Sequence, residues 1–223
     1  MNDSSAPTRP AVPPIGAPPT VFTVGHSNLE LPAFLALLAK HQIDAVVDVR
    51  SSPFSKYVPQ FNRDVLEIAL RKANVRYVPM GKELGARRGE PECYIDAKAR
   101  YDLIAKAPLF QAGLERVRKG AEKFRLAMMC AEKDPLTCHR TILVCRHLKP
   151  ELDIRHILED SSLETAEEAE TRLLDLLGLP AGDLFQSKAD FIEQAYEKQG
   201  EKIAYVERGV EEQAGIQAVE SLG

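Results

Sequence analysis

The chain has 223 residues, 44% of them hydrophobic, and a formal net charge of −4: enough apolar content for a sizeable core, and too acidic a balance for bulk attraction to nucleic acid. No apolar run is long enough to cross a membrane, and residues 1–20, rich in Pro, Ala and Ser, lack the hydrophobic segment of a signal peptide. The four cysteines (Cys93, Cys130, Cys138 and Cys145) are therefore expected to be reduced thiols in a cytoplasmic protein.

Residues 1–20 read as a disordered, Pro-rich leader, 21–207 as one α/β domain and 208–223 as a frayed tail. Val21–Val24 is a short buried strand ended by Gly25-His-Ser-Asn28, and a helix follows from about Leu31, with Pro32 in its first turn and Leu31, Phe34, Leu35 and Leu38 at helical spacing. Ile43–Val49 is a second strand whose unbroken apolar run (Ala45, Val46, Val47) suits a parallel sheet covered on both faces. Asn62 caps a helix through Ala73, and Val75–Pro79 is a third strand. Residues 81–94 form a long polar loop of the kind that often carries function.

Ala97–Lys106 and Pro108–Lys119 read as helices, with Gly120 as a stop for the second. Phe124–Cys130 is a fourth strand, and Thr137 caps a helix to Leu148. Ile154–Leu158 is a fifth strand. Thr165 with Glu168 forms a capping box for a helix that Gly178 ends, and Ser187 with Asp190 opens another to about Gln199. Ile203–Val206 is a short strand or an extended arm. The expected fold is α/β: a mostly parallel, roughly five-stranded sheet flanked by helices, Rossmann-like and three-layered.

Ligands of open α/β sheets bind beyond the carboxyl ends of the strands. Gly25-His-Ser27, Asp48-Val-Arg50, Cys130-Ala-Glu132 and Cys138-His-Arg140 all fall on that rim. Asp48 and Arg50 are two apart on a strand and share a face, as suits an arginine that grips an anion while a carboxylate orients it. Cys138 stands at a helix start beside His139 and Arg140, which favours a thiolate; Cys130 is a second candidate. The bland alternatives are a turn histidine, a structural ion pair and inert buried thiols. Cys130, Cys138 and His139 with His26 offer soft ligands, but the spacing matches no standard zinc pattern and no metal or other cofactor is expected. Leu136 stands where a Cys-five-residues-Arg phosphatase loop would need Arg, and neither a Gly-Lys-Ser/Thr phosphate loop nor a dinucleotide glycine fingerprint occurs.

Charge is unevenly spread. Residues 50–88 carry nine Lys/Arg against three Asp/Glu, whereas residues 151–223 carry six against eighteen. The first stretch is either an anion-facing surface or the exposed face of a helix; the second is a solvated helical surface.

Taken in order, Thr23-Val-Gly-His-Ser27, Asp48-Val-Arg50 with Pro53 and Ser55, Tyr77, Leu84-Gly85 and Cys130-Ala-Glu132 leading to Cys138-His-Arg140 resemble the domain of unknown function 488 family. The similarity runs from about Val21 to Val206 and includes Asp183-Leu-Phe and Ile203-Ala-Tyr. It implies a compact bacterial or archaeal α/β protein and no particular reaction.

The resulting expectation is an enzyme acting on an anionic small molecule, nucleotide or nucleic-acid component at the rim. Cys138, less so Cys130, is the nucleophile; Glu132 or Asp48 is the base, and His26 or His139 moves a proton. Ser27, Arg50, Ser55, His139 and Arg140 line the ligand, and Tyr57, Phe61 and Tyr94 offer rings for stacking. The alternative is a non-catalytic nucleic-acid- or metal-binding module using the same rim.

Overall fold

The computed structural model describes residues 17–207, so the expected leader up to residue 16 and the expected tail at 208–223 lie outside the described residues. In chain order, β1 (Thr20–Gly25), α1 (Leu31–Lys40), β2 (Ala45–Asp48), α2 (Arg63–Lys72) and β3 (Arg76–Pro79) come first. They are followed by α3 (Gly81–Leu84), a hairpin of β4 (Tyr94–Ile95) and β5 (Lys98–Ala99), α4 (Tyr101–Ile104) and α5 (Pro108–Ala121). Then come β6 (Leu126–Cys130), a helical run that ends in α6 (Arg146–Leu148), β7 (Asp153–Ile157), β8 (Leu163–Thr165), α7 (Ala166–Leu177) and α8 (Lys188–Ile203).

The main sheet has the order β3-β2-β6-β1-β7-β8. Every pairing in it is parallel except β7 with β8. All five expected strands are present, and β8 is an antiparallel sixth. Because side chains alternate across a strand, the central strands feed two cores. Phe22, Val24, Val46, Ala127 and Met129 pack with Phe34 and Leu38 of α1 and Leu66 and Leu70 of α2. Val21, Val47 and Met128 pack with Phe110 and Leu114 of α5 and with Leu143 and Leu148. The chain thus covers one face while it moves outward from β1 to β3, and the other after it returns to insert β6 between β2 and β1. A smaller apolar cluster joins Leu136 and Ile142 to α7 and α8.

Local signals set several boundaries. Both capping boxes form, at Thr165–Glu168 and Ser187–Asp190, and Gly178 closes α7 at φ +64°. Elsewhere long-range contacts override local pattern. The helix expected over 97–106 shrinks to α4, because Asp96 and Ala97 adopt φ +49° and +59° and turn the β4–β5 hairpin. The segment after α8 holds this hairpin in place: Ala99 N–H donates to the Tyr205 carbonyl and Glu207 N–H to that of Ala97. Asn62 stands before α2, but its side-chain oxygen accepts the Ser55 N–H rather than capping the helix. Helix α5 runs past Gly120 to Ala121, and α8 past Gln199 to Ile203. Thr137 caps nothing; Asp134 caps a 3-10 turn over Pro135–Thr137, and the following helix has π geometry over Arg140–Cys145. Residues 81–94 are tied down by Arg88, whose guanidinium donates to the Lys82 and Glu83 carbonyls and to Glu90.

Buried His156 sits opposite Thr23 in the β1–β7 register, with Nδ1 2.8 Å from the Thr23 hydroxyl. Burial, reinforced by the charges of Arg140 and Arg172, lowers it to about 3. An unfolded histidine titrates near 6.5, so below that pH the unfolded chain takes up a proton that the folded chain refuses. This contribution to stability is whole above about pH 6.5 and is lost progressively as pH falls toward 3. Thermal unfolding between pH 7.5 and 4 should therefore show a steeper loss of Tm for the wild type than for His156→Gln. Equal slopes would contradict the assignment.

Candidate functional site

Three adjacent strands, β2, β6 and β1, end together at the rim where the helices change face, the position at which open α/β sheets hold ligands. Beyond the sheet β1 stays alongside β6: His26 N–H donates to the Cys130 carbonyl at 3.0 Å and Ser27 N–H to that of Ala131 at 2.8 Å. This closeness requires Gly25, where a Cβ would lie 1.9 Å from the Glu132 carbonyl oxygen. On the far side, a Cβ at Gly81 would lie 2.0 Å from the Arg50 carbonyl oxygen. Both glycines let the backbone close around the rim.

Asp48 and Arg50 share a strand face and form a buried two-pronged pair, Nε to Oδ1 at 2.9 Å and Nη2 to Oδ2 at 2.7 Å. Nη2 also donates to the Phe61 carbonyl, and the Tyr77 hydroxyl donates to Asp48 Oδ2 at 2.7 Å. Arg50 Nη1 lies 3.0 Å from His26 Nε2, and His26 Nδ1 lies 2.9 Å from the Ser27 carbonyl. Burial first, and then the Arg50 charge, lower His26 to about 4. It is therefore neutral, with Nδ1–H donating to Ser27 and its lone pair engaged by Arg50. Both ring nitrogens of His26 are engaged within the protein. It stacks on Phe61, with ring centroids 4.2 Å apart, and helps to hold Arg50.

The opposite wall is a sulfur cluster. Cys130, at the end of β6, and Cys138 are buried free thiols. His139 Nδ1 lies 3.7 Å from the Cys130 sulfur and 4.0 Å from that of Cys138, while Nε2–H donates to the Val49 carbonyl at 3.1 Å. Cys138 Sγ is 2.9 Å from Glu132 Oε2, close enough that one proton must be shared between them. Burial opposes a thiolate at Cys138, but the hydrogen bond from Cys130 and the charges of Arg140 and His139 outweigh it and hold that thiol well below its usual range. Cys130 is pushed well above it by its bond to Cys138 and by burial. Although part of Glu132 reaches solvent, its carboxyl group is turned in against the sulfurs; burial and then the Cys138 charge raise it. Burial alone would lower His139, and its contact with Cys138 raises it instead.

Arg140 faces away from any rim ligand. It is 1% exposed, and it donates to the Glu132 carbonyl at 2.6 Å and the Lys133 carbonyl at 3.3 Å. Its backbone N–H points at the Cys138 sulfur at 3.4 Å. Its expected role as an anion ligand therefore gives way to fastening the loop after β6.

A cleft of about 250 Å³ opens onto this arrangement, lined by Cys130, Glu132 and His139 together with Arg50 and Arg87. Cys138, itself buried, is not part of its lining. Ser27 is strained at φ +47° and its hydroxyl donates to Asn28; Ser55 accepts the N–H groups of Tyr57 and Val58 within its own loop. Neither lines the cleft. Phe61 is fully buried and unavailable for stacking, and Tyr94 is engaged with Arg88; Tyr57 stays 82% exposed. Three contributors carry no role in the site expected from sequence. Tyr77 carried no periodic signal beyond its strand, Tyr101 lay inside an overextended helix, and Arg87 was one charge in a basic stretch. Ring stacking with Tyr205, at 4.6 Å, now steadies Arg87 beside the cleft.

A family model described as Domain of unknown function DUF488 matches residues 30–146, just over half the chain, and the chain belongs to that family. The match includes Asp48-Val-Arg50 and the whole Cys130–Arg140 loop and leaves β1 and the following His26 outside it. No curated protein and no solved structure matches the chain.

Removing one partner of a buried ion pair strands the other. Asp48→Ala should lower unfolding free energy in urea by about 3–5 kcal/mol, well beyond the ~1 kcal/mol expected for loss of one neutral hydrogen bond in Tyr77→Phe. Similar losses for the two variants would contradict this ordering. Gly25→Ala should cost about 1–3 kcal/mol as the Glu132 backbone is displaced. A variant as stable as wild type would show that the contact is not tight.

Proposed function

We propose that the chain is an enzyme acting on an anionic small molecule or nucleotide component held in the rim cleft. The observation that carries this reading is the sharing of one cleft by two unlike sets of groups, Arg50 and Arg87 with Cys130, Glu132 and His139. Arginines beside a cleft favour phosphate or carboxylate, which guanidinium groups bind through charge-assisted hydrogen bonds. Arg50 has three of its nitrogens committed to Asp48, His26 and Phe61, so it supplies a fixed positive field, while exposed Arg87 is free to reach a ligand.

The attacking group in this reading is generated at the sulfur cluster. Cys130 is the sulfur at the cleft, and Glu132, raised and lining the same cleft, is the group that takes or gives the proton. Cys138 serves as the negative partner of both. Phe54 and Tyr57, 72% and 82% exposed, lie on the same loop as the cleft residues Ser51 and Ser52 and offer rings on which a nucleotide base would stack. The free cysteines suit a reducing, cytoplasmic setting.

Calorimetric titration with inorganic phosphate and nucleoside 5′-monophosphates tests the reading. Arg87→Ala should weaken both by about tenfold, the loss of one charged contact, and Tyr57→Ala should weaken only the nucleotides. Affinities indifferent to Arg87 would overturn it. For a nucleotide turned over by the wild type, Glu132→Gln should lower kcat by about 10²–10⁴-fold, as for a lost proton-transfer group, with little change in KM.

A further inference from the structure

We infer that Cys130, Cys138 and His139 bind one zinc ion, with Glu132 beside it at the mouth of the cleft. Among the described residues, the ligand atoms of these four side chains form a group lying within 4.8 Å of one another. Zinc bonds of about 2.3 Å to sulfur and 2.0–2.1 Å to nitrogen give a tetrahedral sulfur–nitrogen edge of about 3.5 Å. The two sulfurs stand 3.7 and 4.0 Å from His139 Nδ1, so closing around an ion requires only small side-chain shifts.

The histidine is already oriented for this role. Its Nε2–H is fixed on the Val49 carbonyl, the outer bond that metal-binding imidazoles make, which directs Nδ1 at both sulfurs. The Arg140 backbone N–H points at the Cys138 sulfur, and its guanidinium holds the Glu132 and Lys133 carbonyls, so the ligand loop is fastened from below. Charge points the same way. Two thiolates and the Glu132 carboxylate would leave three negative charges against the single positive charge of Arg140. A divalent ion brings that buried total to zero, which protons otherwise have to do.

The distance of 2.9 Å from Glu132 Oε2 to the Cys138 sulfur is a hydrogen-bond length, shorter than a tetrahedral edge. Glu132 therefore sits next to the ion rather than among its ligands. Three protein ligands and an open fourth position are the composition of catalytic rather than structural zinc sites. Two sulfurs and an imidazole also select zinc over magnesium or calcium, which prefer oxygen. His26, the ligand suggested by sequence position alone, is spent on Arg50 and takes no part. The inference deepens the reading of the cleft as a reaction site by naming what the sulfurs do there, but the ion's binding stands without that reading.

Untagged protein incubated with zinc and desalted should retain one equivalent by elemental analysis. The same protein loaded with cobalt(II) should show the visible bands of a tetrahedral ion and a near-ultraviolet sulfur-to-cobalt band, the latter calibrated to two thiolates. Cys138→Ser should lose about half of that band, whereas Cys93→Ala, outside the cluster, should keep all of it. The wild-type cobalt spectrum counts thiolates without any substitution, so a variant that fails to fold leaves the test intact. Substoichiometric zinc, an octahedral spectrum without a sulfur band, or an undiminished band in Cys138→Ser would overturn the inference. A chain that binds no zinc but loses phosphate affinity with Arg87→Ala would refute this inference alone. A chain that holds zinc while phosphate binding ignores Arg87 would refute the anion reading alone.

Discussion

The buried guanidinium of Arg140 is the group on which the rim depends. It lies beneath the loop after β6 and fastens two of its carbonyls. The same loop carries Glu132 and ends at Cys138, so the clamp fixes the carboxylate and the thiol relative to Cys130. Arg140 is also the permanent positive charge behind the sulfurs and one of the charges that keep His156 neutral. A buried cation is tolerated only when polar groups surround it. Here those groups are the backbone oxygens of the loop and the sulfur cluster itself, so loop conformation and cluster electrostatics are set by one side chain.

A second buried arginine does corresponding work on the other wall. Arg50 is held by Asp48, His26, Phe61 and Tyr77-bound Asp48 Oδ2, contacts that come from β2, β3, the turn after β1 and the segment before α2. The two walls meet because β6 inserts between β2 and β1 and because Gly25 lets the chain after β1 run against the Glu132 backbone. Topology therefore brings buried Arg50 and the sulfur cluster to one cleft from segments that are far apart in sequence. The burial of both assemblies keeps water away from most of their charges, which strengthens each interaction inside the site.

Much of this was legible before the structure. The unbroken apolar runs at Ala45–Val47 and Leu126–Cys130 marked buried parallel strands, and chain direction then placed His26, Asp48, Arg50 and Cys130 on one rim. The capping residues at Thr165 and Ser187 worked as their chemistry dictates. What escaped was decided by distant partners. The β4–β5 hairpin depends on the segment after α8, and β8 is only three residues long. Side-chain direction at the rim was equally hidden. Strand period says which face Asp48 and Arg50 share, but no period says that Arg140 turns inward to carbonyls or that His26 spends its lone pair on Arg50. For the same reason sequence position does not choose the fourth member of the sulfur cluster: His26 and Glu132 are both near Cys130, and only the hydrogen bonds decide between them.

The central claim is that the strand ends build a single reactive centre whose sulfurs face a positively charged cleft. An anomalous difference map collected at the zinc absorption edge from crystals grown with zinc tests it most directly. The account predicts one strong peak bounded by the Cys130 and Cys138 sulfurs and His139 Nδ1, with the Glu132 carboxylate beside it and the cleft open above. A featureless map at that position, with zinc bound only at exposed side chains, would contradict it.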